Sequence, residues 1–246
     1  MNRARAQEER GFVSESTKSL PSPAMADRFV RRIPEPTVVR LPVYQRALLA
    51  LSASGVETVS SAELAEAAGV NAAKVRKDLS HLGTYGTPGT GYDVNFLLSQ
   101  VRRELGLDRE WQVVIVGIGN LGRALARSQR FSTQNFRAVA LFDIDPAAIG
   151  QEVAGLPIQP LSDLASTVSA VTRCIGVIAC PAAPAQDVCD RLVSAGAQAI
   201  LNFAPAILTV PHNVQLRQVD FSVELQVLAF YVAHPEATAL QDDASL

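Results

Sequence analysis

Hydrophobic and polar positions repeat with a helical period in the first part of the chain. In residues 41–51, LPVYQRALLAL, the apolar side chains fall on one face of an amphipathic helix. Ser60 and Glu63 have the spacing of a capping box, which predicts a second helix that begins there and ends at Gly69. Asn71 is suited to cap a third helix. Two short helices joined by a tight glycine-containing turn predict a helix-turn-helix, although such pairs also occur in purely structural bundles.

Glycine spacing after the third helix predicts a β-hairpin. Residues 82–94 read LGTYGTPGTGYDV, so glycines alternate with potential strand residues. Such a hairpin would be the wing of a winged-helix domain, and a flexible loop is the alternative. A linker helix is expected next, within residues 94–110.

The second part of the chain alternates apolar runs with helical patterns. Apolar runs begin at Trp111 and recur at residues 136–142, 174–179 and 199–203, with helical patterns between them at 121–130, 163–170 and 183–194. Strands that alternate with helices predict a doubly wound parallel sheet, so this part is expected to be an α/β domain of the Rossmann type.

A glycine motif follows the first of these strands. Residues 113–126 read VVIVGIGNLGRALA, in which Gly117 permits a tight turn, Gly119 permits close approach of a pyrophosphate, and Gly122 permits close packing of helix and strand. Asp143 ends the next strand, where an acid accepts hydrogen bonds from the adenosine ribose and repels a 2′-phosphate. The pattern favours NAD(H) over NADP(H). An empty pocket or one that binds CoA is the alternative, and Asp145 is a weaker candidate for the acid.

Two further strand ends are expected at the same edge of the sheet. The loop at Cys180-Pro181-Ala182 and Asn202 would line the nicotinamide end of the site, although Asn202 would serve equally well to satisfy the backbone of a turn. The candidate cofactor-binding residues are Gly117, Ile118, Gly119, Asn120, Leu121, Gly122, Asp143, Cys180, Pro181, Ala182 and Asn202.

Composition fits two globular domains. The 246 residues are 48% hydrophobic and 19% charged, with a net charge of −2. Residues 1–110 carry 15 Lys and Arg against 13 Asp and Glu, whereas residues 111–246 carry 7 against 11, so the first part is the better candidate for a polyanion partner. Three cysteines without metal-type spacing, no export signal and no long apolar run predict a cytoplasmic protein with reduced thiols, no metal and no membrane span.

The residues needed for hydride-transfer catalysis are scarce. A dehydrogenase needs a general acid or base beside the reacting carbon, most often His, Lys or Tyr. Residues 111–246 contain no Lys, a single Tyr at 231, and two histidines, of which His212 lies in a predicted turn and His234 near the end of the chain. Cys180 has no evident His partner. We therefore expect a cofactor that is sensed, and no enzyme.

Five motifs, taken in order, carry a family resemblance. They are KVRKDLS at 74–80, GTYG at 83–86 with GTGY at 89–92, VGIGNLG at 116–122, ILNFAP at 200–205 and VDF at 219–221. Together they resemble the Rex redox-sensing transcriptional repressors, most closely the actinobacterial ones, over about residues 33–233. The resemblance implies a homodimer whose winged helices bind a palindromic double-stranded DNA operator. It also implies repression when NADH is scarce and release from DNA when NADH accumulates.

The third helix would be the recognition helix of this family, lying in the major groove. Arg76 or Lys77 is expected to read guanine and Lys74 to hold phosphate, whereas a solvated charged face is the alternative because Asp78 follows. The candidate DNA-binding residues are Lys74, Arg76, Lys77, Ser80, Tyr85 and Gly89.

The last apolar segment, residues 220–232, is apolar nearly all round a helix, and such a helix must be buried. The resemblance implies that this helix is swapped between subunits beside the partner's nicotinamide pocket; burial against its own subunit is the alternative. It also implies that Arg46 pairs with Asp220 and that the cofactor alters this contact. The candidate switch and dimer residues are Arg46, Asp220, Phe221, Leu225 and Leu228.

The sequence departs from the family at two places. Pro88 stands where the wing usually has an Arg, and Ser128 stands where a Tyr often follows the glycine-loop helix, so neither role is carried over. The predicted organisation is a winged-helix domain at 35–93, a linker helix at 94–110, a Rossmann domain at 111–221 and a swapped helix at 222–234, between disordered tails at 1–34 and 235–246. A small dehydrogenase fused to a helical module and a CoA-binding domain are the rival functions.

Overall fold

The structure is a computed structural model that describes residues 33–83 and 91–235. The predictions for most of the two tails, and those for Tyr85, Pro88 and Gly89, lie outside the described residues. Within them, a helical domain precedes a domain of alternating strands and helices, as the sequence predicts.

Helices form most of the N-terminal domain. They are α1 (Glu35–Ala53), α2 (Ser61–Ala68), α3 (Ala72–Leu82) and α4 (Val94–Glu104), accompanied by the short strands β1 (Thr58–Val59) and β2 (Tyr92–Asp93). Helix α1 begins well before the predicted segment, because a proline and Glu35 in its first turn suit a helix N-terminus, and it continues through Pro42.

The predicted helix boundaries around the turn are confirmed. Ser60 accepts a hydrogen bond from the Glu63 amide and Glu63 accepts one from the Ser60 amide, which completes the capping box. Gly69 ends α2 in the left-handed conformation, with φ of 64°, and Asn71 caps α3 through the Ala73 amide. Local capping chemistry therefore sets the short connection between α2 and α3.

The last two residues of the predicted wing segment, Tyr92 and Asp93, pair with a strand that lies outside that segment. Strand β2 runs antiparallel to β1, with Val59 opposite Tyr92. A Cβ atom on Gly91 would stand 2.6 Å from the Val59 carbonyl oxygen, so only glycine allows this approach. The wing segment is thus anchored to the connection between α1 and α2.

One apolar core joins all four helices. Helix α4, predicted as a linker, packs along α1 and contributes Val94, Leu97 and Val101 to this core. The other buried apolar residues are Leu41, Tyr44, Ala47, Leu48, Val59, Leu64, Ala65, Val75, Leu79 and Leu82. The N-terminal domain therefore fixes α3 from one side and leaves its other side exposed.

The second domain is a seven-stranded sheet. Its strands are β3 (Trp111–Val116), β4 (Phe136–Asp143), β5 (Glu152–Val153), β6 (Leu156–Pro160), β7 (Cys174–Ile178), β8 (Ala199–Asn202) and β9 (Gln215–Gln218), in the order β5-β6-β4-β3-β7-β8-β9. All neighbours are parallel except β5 and β6. The winding direction reverses between β3 and β7, and a crevice at the carboxyl ends of such strands is where ligands bind in this fold.

Helices connect the strands, and three strands went unpredicted. The helices are α5 (Asn120–Ala126), α6 (Gln129–Thr133), α7 (Leu164–Ser169), α8 (Ala182–Ser194) and α9 (Phe221–Ala233). The single helix predicted at 121–130 is wrong, because the chain breaks between α5 and α6. Strands β5, β6 and β9 escaped prediction because they are short and β6 contains two prolines, which weaken a strand pattern.

Helix α9 contributes no residue to the three buried apolar clusters of the described residues, one in the N-terminal domain and two in the second domain. Its large apolar side chains are exposed, including Phe221, Leu225 and Leu228. None of the helices in residues 33–83 and 91–235 combines the length and apolar character that crossing a membrane requires.

Candidate functional site

The glycine loop between β3 and α5 is built on two close backbone contacts. Gly117 has φ of 92°, and a Cβ there would stand 2.7 Å from the Ala179 carbonyl carbon and the Cys180 nitrogen. A Cβ on Gly122 would overlap the Gly117 carbonyl oxygen. Both positions therefore require glycine for the fold of the loop itself.

Gly119 is glycine for a different reason. It has φ of −73°, which any residue adopts, and no atom lies within 4 Å of the place where its Cβ would stand. The open side faces a cavity that Gly119 helps to line. A side chain there would fill space beside the loop without touching the protein, which fits a position kept bare for a ligand.

A cavity of about 410 Å³ opens at the carboxyl ends of β3, β4 and β7. It brings together the predicted residues Gly117, Gly119, Asp143, Cys180 and Pro181, with Val116, Ile144, Leu161, Ala179, Pro184 and Val188 completing the lining. Three strand ends supply the surface, as expected for a nucleotide site at the reversal of a doubly wound sheet. Of the other predicted residues, Ile118 and Gly122 are buried behind the loop.

Asp143 connects two sides of this cavity. Its Oδ2 accepts a hydrogen bond of 2.7 Å from the Ile118 amide, and its Oδ1 accepts from the amides of Ile144 and Asp145. The carboxylate thus stabilises the glycine loop and remains partly exposed beside it. Oδ1 already accepts two hydrogen bonds, whereas Oδ2 accepts one and keeps a second lone pair, so Asp143 is still able to accept from a ribose hydroxyl through Oδ2.

Cys180 is poorly suited to nucleophilic chemistry. Burial raises the pKa of its thiol, and the nearby negative charge of Asp143 raises it further, although its own backbone lowers it. The thiolate is the reactive form, so a raised pKa makes the side chain unreactive at neutral pH. Burial also raises the pKa of Cys174 to about 11.

The prediction that Asn202 lines the ligand surface needs correction. Its side chain is fully buried: Nδ2 donates to the carbonyls of Ala204 and Ala206 and to Oε1 of Gln218, while Oδ1 accepts from the Ala204 amide. These bonds use most of what one amide offers. Asn202 therefore stabilises the turn after β8, the alternative that the sequence had left open.

The exposed face of α3 carries the four predicted DNA contacts that the structure describes. Lys74, Arg76, Lys77 and Ser80 are all exposed. With about 100° per residue, Lys77 and Ser80 lie near the centre of that face, whereas Lys74 and Arg76 lie on its two flanks. Arg76 donates a hydrogen bond of 3.1 Å to Ser61, which holds it towards α2.

Sequence reasoning missed the function of Asp78. This residue is buried on the inner face of α3 and accepts hydrogen bonds from Thr37, Arg40 and Tyr44 of α1. Burial alone would raise the pKa of Asp78, but the hydrogen bonds from Arg40, Tyr44 and Thr37 outweigh it and lower the pKa. The signal was available, because Asp78 falls on the apolar stripe formed by Val75, Leu79 and Leu82.

Arg46 and Asp220 do not pair within one chain. Among the described residues, no ion pair joins them. Asp220 instead caps α9 by accepting from the Ser222 amide, and Arg46 is exposed beside a groove lined by α1 and the turn after α6. The described residues also contain no cluster of three potential metal ligands.

Comparisons with known proteins match both domains. Residues 32–80 match a family model described as a putative DNA-binding protein N-terminus, and residues 108–206 match one described as a CoA binding domain. A winged-helix domain joined to a Rossmann domain with a cavity at its strand ends defines a class of ligand-responsive DNA-binding proteins.

The chain belongs to the Rex family of redox-sensing transcriptional repressors. It is 60% identical over 201 residues to the Rex of Streptomyces avermitilis, covering 82% of this chain and 80% of that one. The fold matches the Rex-family repressor RSP in complex with β-NAD⁺ and operator DNA at a TM-score of 0.79 and 33% identity, covering 87% of this chain and 99% of that one. RSP in complex with β-NADH matches at 0.75 and 32% identity, covering 85% and 99%.

Proposed function

We propose that this protein is a redox-sensing transcriptional repressor that binds palindromic operator DNA when NADH is scarce and leaves it when NADH binds. The observation that carries the proposal is the presence, on one chain, of an exposed basic recognition helix and a nucleotide cavity whose glycine loop is kept bare at Gly119. RSP, which shares the fold, has been solved with β-NAD⁺ and operator DNA and with β-NADH.

The nucleotide site fits NAD(H). The Gly117 amide donates to the Phe142 carbonyl and the Ile118 amide to Asp143, so the loop would offer a pyrophosphate the amides from Gly119 onwards, which the first turn of a helix leaves unpaired. Asp143 would accept from the adenosine ribose and repel a 2′-phosphate. The loop at Cys180 and Pro181 would lie towards the nicotinamide. Bound dinucleotide supplies the redox signal, and the chain's own residues bind it and register its form.

The DNA site fits a homodimer on a two-fold operator. Two recognition helices on a two-fold axis read half-sites whose spacing must match the dimer. Helix α9 supports the dimer, because its exposed apolar side chains need a partner surface. Within its own chain, Phe221 at the start of the helix lies near Phe203, with 6.4 Å between the ring centres. We place α9 against the partner subunit, with Arg46 and Asp220 meeting across that interface.

The switch follows from differential affinity. A ligand shifts an equilibrium between two dimer arrangements only as far as its affinities for them differ. NADH would favour an arrangement in which the recognition helices no longer match the half-site spacing, and NAD⁺ would not. The curated relatives are named as repressors, which favours a sensed cofactor over a consumed one. We place this activity in the cytoplasm, where operator DNA and the nicotinamide pool meet.

Fluorescence anisotropy tests the proposal. The full chain is titrated onto a labelled Rex-type palindromic operator at fixed salt, since phosphate contacts make affinity salt-dependent. NADH should release the complex and NAD⁺ should do so far less, while CoA, suggested by the match at residues 108–206, should have no effect. DNA binding that neither nicotinamide nucleotide alters would refute the redox switch. Release of the operator by CoA would favour the hypothesis of a CoA-binding domain, and NADH turnover with a carbonyl compound would favour the hypothesis of a dehydrogenase.

A further inference from the structure

A buried carboxylate joins the recognition helix to α1. Asp78 is 1% exposed, and its Oδ1 accepts from Thr37 at 2.8 Å and from the Arg40 Nη2 at 2.7 Å. Its Oδ2 accepts from the Arg40 Nε at 2.6 Å and from the Tyr44 hydroxyl at 2.6 Å. Both oxygens therefore have two donors, and one of the donors is a guanidinium that binds with both of its ends.

This arrangement fixes the orientation of α3 relative to α1 as well as the distance between the two helices. Thr37, Arg40 and Tyr44 lie at positions i, i+3 and i+7, so they share one face of α1 over two turns, about 10 Å. Apolar contacts are non-directional, whereas a two-pronged Arg–carboxylate pair has a fixed geometry. With hydroxyls on either side of that pair, the Asp78 carboxylate cannot rotate or slide along α1 without losing hydrogen bonds.

The orientation that this cluster fixes is the one that matters for reading bases. Lys77 and Ser80 lie near the centre of the exposed face, and Asp78 directly follows Lys77 and lies two residues before Ser80. A helix is about 5–6 Å in radius with its side chains, so a rotation of α3 by about 20° would move those side chains by about 2 Å. That distance separates a hydrogen bond to a base edge from none.

A stabilising role alone does not account for a buried carboxylate in this place. Removing the Asp78 charge from water is costly even with the partly exposed Arg40 beside it, and apolar replacements of similar volume are often as stable or more so. The two helices already share the apolar core of the domain, to which Leu41 and Leu48 of α1 and Val75 and Leu79 of α3 belong. The directional contact is what such a core cannot supply.

We propose that Thr37, Arg40 and Tyr44 are positioning residues that act through Asp78 to orient the recognition helix, and so set the discrimination between operator and other DNA. The proposal rests on the DNA-binding function proposed above. It assigns the cluster little part in the sequence-independent attraction to phosphate, because none of its members is on the exposed face of α3. Discrimination and general affinity should therefore separate when the cluster is altered.

The test compares an apolar replacement with wild type. The variant Thr37→Val/Arg40→Met/Tyr44→Phe/Asp78→Leu replaces the whole cluster with apolar side chains of similar shape, and Arg137→Met removes an exposed ion pair with Glu110 as the matched control. Each full chain is checked for folding by circular dichroism and thermal unfolding. Affinities for the operator and for a scrambled duplex are then measured at several salt concentrations.

The cluster variant should lose at least about tenfold in operator affinity and about threefold or less on scrambled DNA, with an unchanged salt slope, while the control matches wild type. A folded cluster variant that keeps the wild-type ratio of the two affinities would overturn the proposal. If the cluster variant does not fold, the single variant Tyr44→Phe provides the test. Its ratio of operator affinity to scrambled-duplex affinity should fall about threefold or more, and an unchanged ratio would contradict the proposal. Wild type without operator preference would instead reject the proposed function itself.

Discussion

The substitution Gly119→Ala, which adds one methyl group, should weaken ligand binding while leaving the stability of the fold nearly unchanged. The backbone there has φ of −73°, so alanine fits without strain, and the new Cβ would meet no protein atom within 4 Å. Alanine is a poorer N-cap than glycine, but it also reduces the freedom of the unfolded chain, and these two effects nearly cancel. Thermal unfolding of Gly119→Ala should therefore stay close to that of wild type.

The loss of NADH affinity can be worked from the contacts at stake. A methyl group in the cavity would hold the pyrophosphate away from the loop amides, and each hydrogen bond to a charged group contributes about 1.5–3 kcal/mol. Losing one such bond weakens binding about tenfold, and losing two weakens it about 100-fold or more, at 1.4 kcal/mol per factor of ten. Operator binding without nucleotide should not change, because Gly119 belongs to the second domain and α3 to the N-terminal domain.

Isothermal titration with NADH measures the affinity, and anisotropy on operator DNA measures release. Gly122→Ala is the contrasting variant: its Cβ would overlap the Gly117 carbonyl, so it should lower both stability and affinity. A folded Gly119→Ala protein that binds NADH with wild-type affinity would refute the assignment of the glycine loop to the pyrophosphate.

Three further predictions follow from the described side chains. Lys74→Ala should weaken binding to all DNA sequences alike and reduce the slope of log affinity against log salt by about 1, measured by anisotropy; an unchanged slope would remove Lys74 from the phosphate contacts. Leu228→Asp should shift the dimer to monomer in sedimentation equilibrium, because it places a charge on the exposed apolar helix, and an intact dimer would contradict the role of α9. The folded state lowers the pKa of Asp78, so its contribution is present above the unfolded pKa of about 3.9 and is lost as pH falls through the folded pKa. Asp78→Asn should therefore be less stable by about 1.5–3 kcal/mol in urea unfolding at pH 7, because the partly exposed Arg40 is left without its carboxylate, and this deficit should shrink below about pH 4; a deficit that grows on acidification would reverse the assignment.

Local signals in the sequence were sufficient where one residue determines one feature. Ser60 and Glu63 define a helix start and Gly69 a helix end, each through backbone chemistry that neighbouring residues decide. Gly122 packs against the Gly117 carbonyl in the same way, and the motif predicts the tight turn even though Gly117 also packs against Ala179 and Cys180. The parallel sheet was predictable for the same reason, since long buried strands such as β3 and β4 give continuous apolar runs.

Features that depend on distant partners were not predictable. The place of Asp78 on the apolar stripe of α3 indicated that it is buried, but only the fold identifies Arg40 and Tyr44 as its partners. Asn202 is an intermediate case, because its bonds to Ala204 and Ala206 are local, as the turn alternative anticipates, and only its bond to Gln218 depends on a more distant residue. Tertiary contacts of this kind determine the role of a polar side chain, and neither the hydrophobic period of a segment nor a local sequence motif contains information about them.

Helix α9 has a consequence for inheritance. The large apolar side chains of this thirteen-residue helix are mostly exposed on a single chain, so in the proposed dimer a newly made subunit would be complete only when it meets a second copy, at a rate that depends on how many copies are present. In a cell that carries a normal and a defective version of this gene, the two products would pair at random, and each would complete the other's interface. A mutation that destroys the recognition helix but spares α9 would then disable mixed dimers, and the defective allele would be dominant.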